Sequence, residues 1–173
     1  YKMYKTHVMS VFLSVLPDLL NEIEASRTPV EMRALLERAT RQFGFEGYSY
    51  HRYVPEDGSL NYIGGWPPEW LERYESNNYV DIDPVIERLL GSVAPFTWNE
   101  AVARRPVNAS ERQVMNEGRE FGLKEGAEIP IHEPGPGFAT FSVFSSVAAD
   151  FEAAWEAHRH DIHLFCLHFH DKY

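Results

Sequence analysis

Apolar residues recur at helical spacing near the start of the chain, at Val8, Val11, Phe12, Val15, Leu16, Leu19, Leu20 and Ile23. Pro17 lies inside that run and is expected to kink or divide the helix, because it lacks the N–H a helix interior needs. Thr28-Pro29-Val30-Glu31 predicts the start of a second helix, with Thr28 as N-cap, Pro29 in the first turn and Glu31 closing a capping box. That helix should end near Gly44. The pattern then changes. Residues 47–54, GYSYHRYV, read as a strand, Pro55-Glu56-Asp57-Gly58 as a turn, and residues 59–64 as the hairpin partner. Pro67 and Pro68 open a short helix over roughly 68–76, and Pro84 to Leu90 form a second. Asn108 to Phe121 is another, with Asn108 as cap, Glu111 three residues on and Gly122 at the end. Residues 127–132 and 138–146 read as strands, and Asp150 to His170 as a long final helix. Helices, antiparallel strands and helices again, with no internal repeat or long linker, predict one α+β domain over residues 1–173 built on a central sheet.

Composition narrows the function. Hydrophobic residues are 44% and charged residues 24%, as in an ordinary globular domain, yet the chain carries 4 Trp, 9 Tyr and 11 Phe. Trp and Tyr bring a polar tip that needs a partner when buried, which suits a core that also recognises something. The formal net charge of −10 repels phosphates, so nucleic acid and anionic membrane surfaces are poor partners for this chain. No apolar run approaches the roughly 20 residues that span a bilayer, and no export signal is visible. Cys166 is the single cysteine; no internal disulfide can form, which fits a reducing cytoplasm.

The candidate chemistry sits between Trp66 and Trp98. Trp70 and Tyr74 are four apart and share a helix face, each with an apolar body and one hydrogen-bond donor. Asp83 precedes Pro84, which holds its backbone extended. An aspartate pointing inward among aromatics needs a donor to offset its desolvation. Two donors and one anionic acceptor framed by tryptophans would suit a ligand with two carbonyls and one N–H. By spacing alone, plain core packing for the Trp–Tyr pair and a turn or cap for the aspartate are the commoner readings of such a pattern, and both stay open.

The order Trp70, Tyr74, Asp83-Pro84, Trp98, Gly126, together with GFEGYSY before the hairpin, PFTW at Trp98 and FGLKEGAEIPI before a strand, resembles the signal-binding domains of LuxR-type quorum-sensing transcription regulators. The resemblance runs from about residue 10 to residue 170. It implies an α-β-α sandwich with a central antiparallel sheet and helices on both faces, enclosing an N-acyl homoserine lactone and using no other cofactor. It gives Trp70 the lactone carbonyl, Tyr74 the acyl carbonyl and Asp83 the amide N–H, with Trp98 packed on the lactone ring. A late-strand hydroxyl helping with the acyl carbonyl falls on Ser142, or on Thr140 if the loop at EPGPG shifts the register. It also implies a homodimer, and DNA contact only through a C-terminal helix-turn-helix domain that this chain, ending at Tyr173, is expected to lack.

The chain departs from the common family pattern at Trp66, where many members carry a tyrosine. Trp66 either shapes the acyl end of the pocket, favouring a branched or aryl group, or packs at its rim. Elsewhere the signals are weaker. His158, His160, His163, His168, His170 and Cys166 crowd the tail without zinc-finger spacing, so no metal is expected and Cys166 reads as a buried apolar residue. Asp81 and Asp83 form a close carboxylate pair, but no nucleophile elbow, phosphate loop or metalloprotease motif accompanies them, so no enzyme is expected. The alternatives are a sensor of a non-lactone signal in the same fold, or an interaction or anti-activator module without a ligand.

Overall fold

The computed structural model describes residues 15–56 and 58–173, so the first part of the helical run expected over residues 8–24, residues 8–14, lies outside the described residues. Seven helices are described: α1 (Leu16–Ala25), α2 (Pro29–Gln42), α3 (Pro68–Ser76), α4 (Pro84–Leu90), α5 (Trp98–Ala103), α6 (Ala109–Glu120) and α7 (Ala148–Lys172). They surround five strands: β1 (Gly47–Val54), β2 (Ser59–Gly64), β3 (Phe96–Thr97), β4 (Glu125–His132) and β5 (Phe138–Ser145). All pairings are antiparallel, in the order β2-β1-β5-β4-β3. This is the expected α+β sandwich.

Local chemistry accounts for most of the boundaries. Thr28 and Glu31 cap each other's backbone at the start of α2, and Asn108 and Glu111 do the same for α6. Gly44 and Gly122 follow those helices at φ 89°, a left-handed conformation that glycine adopts without steric cost. Pro17 falls in the first turn of α1, where its missing N–H has no intrahelical partner to lose. Three elements were not expected: a 3₁₀ turn at Tyr79–Asp81, the two-residue β3, and α5. A helix of six residues is too short to show a periodicity, although Thr97 and Glu100 form a capping box at its start.

The sheet's pleat divides the molecule into two layers. Ala127, Ile129 and Ile131 of β4 and Ala139, Phe141 and Val143 of β5 face α1, α2 and α7 in one apolar core, with Leu19, Ile23, Leu35, Phe165 and Phe169. Their alternate neighbours face α3 to α6, where Trp70, Tyr79, Leu89, Phe96, Trp98, Val114 and Phe144 form a second cluster. The tail residues serve the first layer: Cys166 is buried, and His170 Nδ1 lies 3.0 Å from the Tyr50 hydroxyl. Among the described residues no helix is long and apolar enough to cross a membrane.

Phe141 anchors that layer, fully buried against Tyr50 and Phe169 at centroid distances of 4.5 and 5.5 Å. Phe141→Ala should destabilise the domain by about 3–5 kcal/mol in urea unfolding, and a loss below 1 kcal/mol would show that the core closes over the gap.

Candidate functional site

The second layer carries the candidate chemistry. Trp70 and Tyr74 lie one turn apart on α3 with ring centroids 5.5 Å apart at 69°. Trp70 is 3% exposed and packs on Tyr79 and Phe121. The Tyr74 hydroxyl donates to Asp83 Oδ2 at 2.8 Å, while Asp83 Oδ1 accepts the Val85 N–H at 2.8 Å and so caps α4. Desolvation raises the Asp83 carboxyl above its ordinary range, opposed by the Tyr74 hydroxyl and the α4 amides. Burial and the neighbouring Asp83 push the Tyr74 phenol well up, so it keeps its proton and acts as a donor.

Facing these helices, the sheet presents a carboxylate that the sequence reading passed over. Glu128 on β4 is 4% exposed. Its Oε1 accepts the Trp98 indole N–H at 3.0 Å and the Ser142 hydroxyl at 2.7 Å, and its Oε2 accepts the Thr140 hydroxyl at 2.7 Å. Trp98 stacks on Phe144, centroids 6.5 Å apart, and lies flat over Gly126, where a Cβ would sit 2.5 Å from the indole. Only glycine fits beneath that ring.

Between the two walls lies a cavity of about 510 Å³. All seven residues singled out in the sequence line it: Trp66, Trp70, Tyr74, Asp83, Trp98, Thr140 and Ser142. Thr140 and Ser142 are two apart on β5, so both face the cavity and no choice of register separates them. Trp66 lies with its ring 5.4 Å from His51 and 6.4 Å from Tyr74, and no acceptor among the described residues meets its buried indole N–H. Among the described residues no lysine or arginine lines the cavity.

Residues 28–173 match the family model described as autoinducer binding domain. The chain belongs to the autoinducer-binding-domain family. Among curated proteins, the quorum sensing-dependent regulator RpaR of Rhodopseudomonas palustris is 38% identical over 121 residues, covering 66% of this chain and 48% of RpaR. The chain thus spans about half the length of the curated relatives it matches, 43–48% for the first three. Among solved structures, the N-acylhomoserine lactone dependent LuxR family factor CepR2 of Burkholderia cenocepacia superposes with a TM-score of 0.66 at 18% identity, over 91% of this chain and 90% of that one. A structure of SdiA in complex with octanoyl-rac-glycerol gives 0.64 at 16% identity, over 91% of this chain and 67% of that one. At such identities the structures show the shared fold. The curated relatives are transcription regulators, which agrees with a sensing domain.

Two further groups shape this autoinducer-binding domain and were missed in the sequence. His51 lines the cavity, and burial lowers its pKa to about 4, leaving the imidazole neutral. Glu128 is the more consequential. A signal for it was present: Gly126 and Glu128 share one face of a strand whose other face, Ala127, Ile129 and Ile131, is wholly apolar. Burial pushes the Glu128 carboxyl up to about 7 despite its three donors, and the Asp83 charge adds to the rise.

A raised carboxyl pKa stabilises the fold fully below the ordinary value near 4.5 and loses that stability as pH rises through about 7. The loss is on the order of 3 kcal/mol, taking about 1.4 kcal/mol per unit. Glutamine can keep the Trp98 and Ser142 bonds on its oxygen and donate to Thr140 Oγ1, whose proton turns to the Ile129 carbonyl 3.4 Å away. Melting curves should therefore show Glu128→Gln gaining on the wild type between pH 5 and pH 8; parallel curves across that range would refute the ionisation.

Proposed function

We propose that this domain is the ligand-sensing part of a quorum-sensing transcription regulator, and that an N-acyl homoserine lactone occupies the cavity between α3, α4 and the sheet. The observation that carries this reading is the convergence of Trp70, Tyr74 and Asp83 on one apolar-walled cavity. A homoserine lactone head has two carbonyl acceptors and one amide donor, the complement of an indole N–H, a phenol O–H and a carboxylate. Trp70 takes the lactone carbonyl, Tyr74 the acyl carbonyl and Asp83 the amide N–H, while Trp98 closes the ring end. Each hydrogen bond nets only about 0.5–1.5 kcal/mol, but a buried partner left unpaired costs about 1–3 kcal/mol, so the trio sets identity. The acyl chain adds affinity at about 0.8 kcal/mol per buried CH₂.

The same reading places the parent protein in the cytoplasm as a homodimer, with DNA contacted through a further domain rather than through this acidic chain. Catalysis is not part of it. A ligand held inside the second layer fills space that otherwise lacks packing partners, so binding stabilises the native state by about 2.7 kcal/mol at a hundredfold excess over Kd. A non-lactone signal in the same cavity is the second reading. It draws on the octanoyl-rac-glycerol named for SdiA and on Glu128, an acceptor the lactone head does not call for.

A thermal-shift series with short, long, 3-oxo, branched and aryl homoserine lactones, and with octanoylglycerol, separates the two. A shift of several degrees with one lactone class is expected; a shift with octanoylglycerol alone would support the second reading, and no shift from folded, ligand-free protein would remove both. For the lactone that binds, Trp70→Phe keeps the ring but deletes the donor. Its Kd should rise roughly tenfold, corresponding to about 1.4 kcal/mol, and an unchanged Kd would remove Trp70 from the lactone carbonyl.

A further inference from the structure

A hydroxyl has one proton to give and two lone pairs to offer. In this cavity both hydroxyl protons of β5 are already committed. Ser142 Oγ is 2.7 Å from Glu128 Oε1, and Thr140 Oγ1 is 2.7 Å from Oε2. The Trp98 N–H, the other donor on this wall, also ends on Oε1 at 3.0 Å. What Ser142, Thr140 and Glu128 have left for the cavity is lone pairs. The wall accepts and does not donate.

Protonation of Glu128 leaves that polarity in place. Oε1 already receives two donors, so the added proton belongs on Oε2, where it points at Thr140 Oγ1. The Thr140 proton then turns to the Ile129 carbonyl at 3.4 Å, and Ser142 still donates to Oε1. Among the described residues, the donors that remain in the cavity, the Trp66 and Trp70 indole N–H groups and the one N–H of His51, belong to α3, the segment before it and β1, and not to the β4–β5 wall. Asp83 at the start of α4 and Glu75 on α3 are acids, Tyr74 on α3 gives its proton to Asp83, and His51 on β1 is neutral. Arg88 of α4 lies over the Phe96 ring at 4.4 Å and does not line the cavity.

We propose that Glu128 turns the Ser142–Thr140 wall into an acceptor subsite, selecting a ligand whose acyl group carries a hydroxyl there rather than a second carbonyl. The inference rests on the acylated-signal reading and refines it: as the ligand's amide N–H takes the place of the Tyr74 proton on Asp83, the Tyr74 hydroxyl turns to the acyl carbonyl, and Ser142 reads a donor two carbons further along. A second carbonyl against this wall would set acceptor against acceptor, both desolvated.

Calorimetric Kd values for 3-hydroxyacyl, 3-oxoacyl and unsubstituted homoserine lactones of one chain length test this on the wild-type domain. The 3-hydroxy compound should bind about tenfold tighter than the 3-oxo compound. That preference should fall several-fold in Glu128→Gln, whose amide adds a donor to the wall, and in Ser142→Ala, which deletes an acceptor. Equal binding of the 3-hydroxy and 3-oxo compounds by the wild type would overturn the subsite while leaving the lactone reading standing. So would a hydroxyl preference that neither substitution alters. Failure of all three compounds to bind folded protein would remove the lactone reading and the subsite with it. The wild-type comparison decides the question even if a variant does not fold.

Discussion

The two-residue period of β4 and β5 governs everything else in this domain. Along β4, Ala127, Ile129 and Ile131 turn to one side and Gly126 and Glu128 to the other; along β5, Ala139, Phe141 and Val143 oppose Thr140 and Ser142. Because the strands pair in one register, the polar residues of both meet on a single face. A slip of one residue would bury a carboxylate and two hydroxyls against α7 and expose Ile129 and Phe141 to the cavity. The aromatic packing of Tyr50, Phe141 and Phe169 holds the register, and the cavity chemistry depends on it.

The two layers therefore do different work. Against α1, α2 and α7 the sheet buries aliphatic and aromatic side chains in one continuous apolar cluster, and that side supplies the cohesion of the domain. Against α3 to α6 it leaves a cavity of about 510 Å³ between short helices, walled by tryptophans. Empty space forfeits dispersion contacts, so this layer is the less stable one until something occupies it. A sensor needs that division: a scaffold that stands by itself and a face whose packing is completed by the signal.

Asp83 and Glu128 meet the problem of a buried carboxylate in different ways. Asp83 sits at the N-terminus of α4, where backbone amides and the Tyr74 hydroxyl point at it. Glu128 has only side-chain donors, one indole from α5 and two hydroxyls from β5. It binds α5, β4 and β5 together while remaining close to its protonation equilibrium. The first group is built to stay an acceptor; the second sets the polarity of its neighbours.

The sequence by itself determined the local elements and half of the site. Caps, prolines and alternation located α2, α3, α4, α6, both hairpin strands and the long α7, because those signals act between residues a few positions apart. Trp70, Tyr74 and Asp83 were legible for the same reason: helical spacing and a proline bring them together within fourteen residues. Helix α5 and strand β3 were not, being too short for any periodicity to register. Glu128 was present as one acid in an apolar strand, yet nothing local showed where it pointed. Its partners lie 12, 14 and 30 residues away, and only the antiparallel pairing across the EPGPG loop and the fold of Trp98 over Gly126 bring them within 3.0 Å. Contacts of that range are made by packing and not by neighbouring residues, so the tertiary structure alone decided what this wall of the cavity offers a ligand.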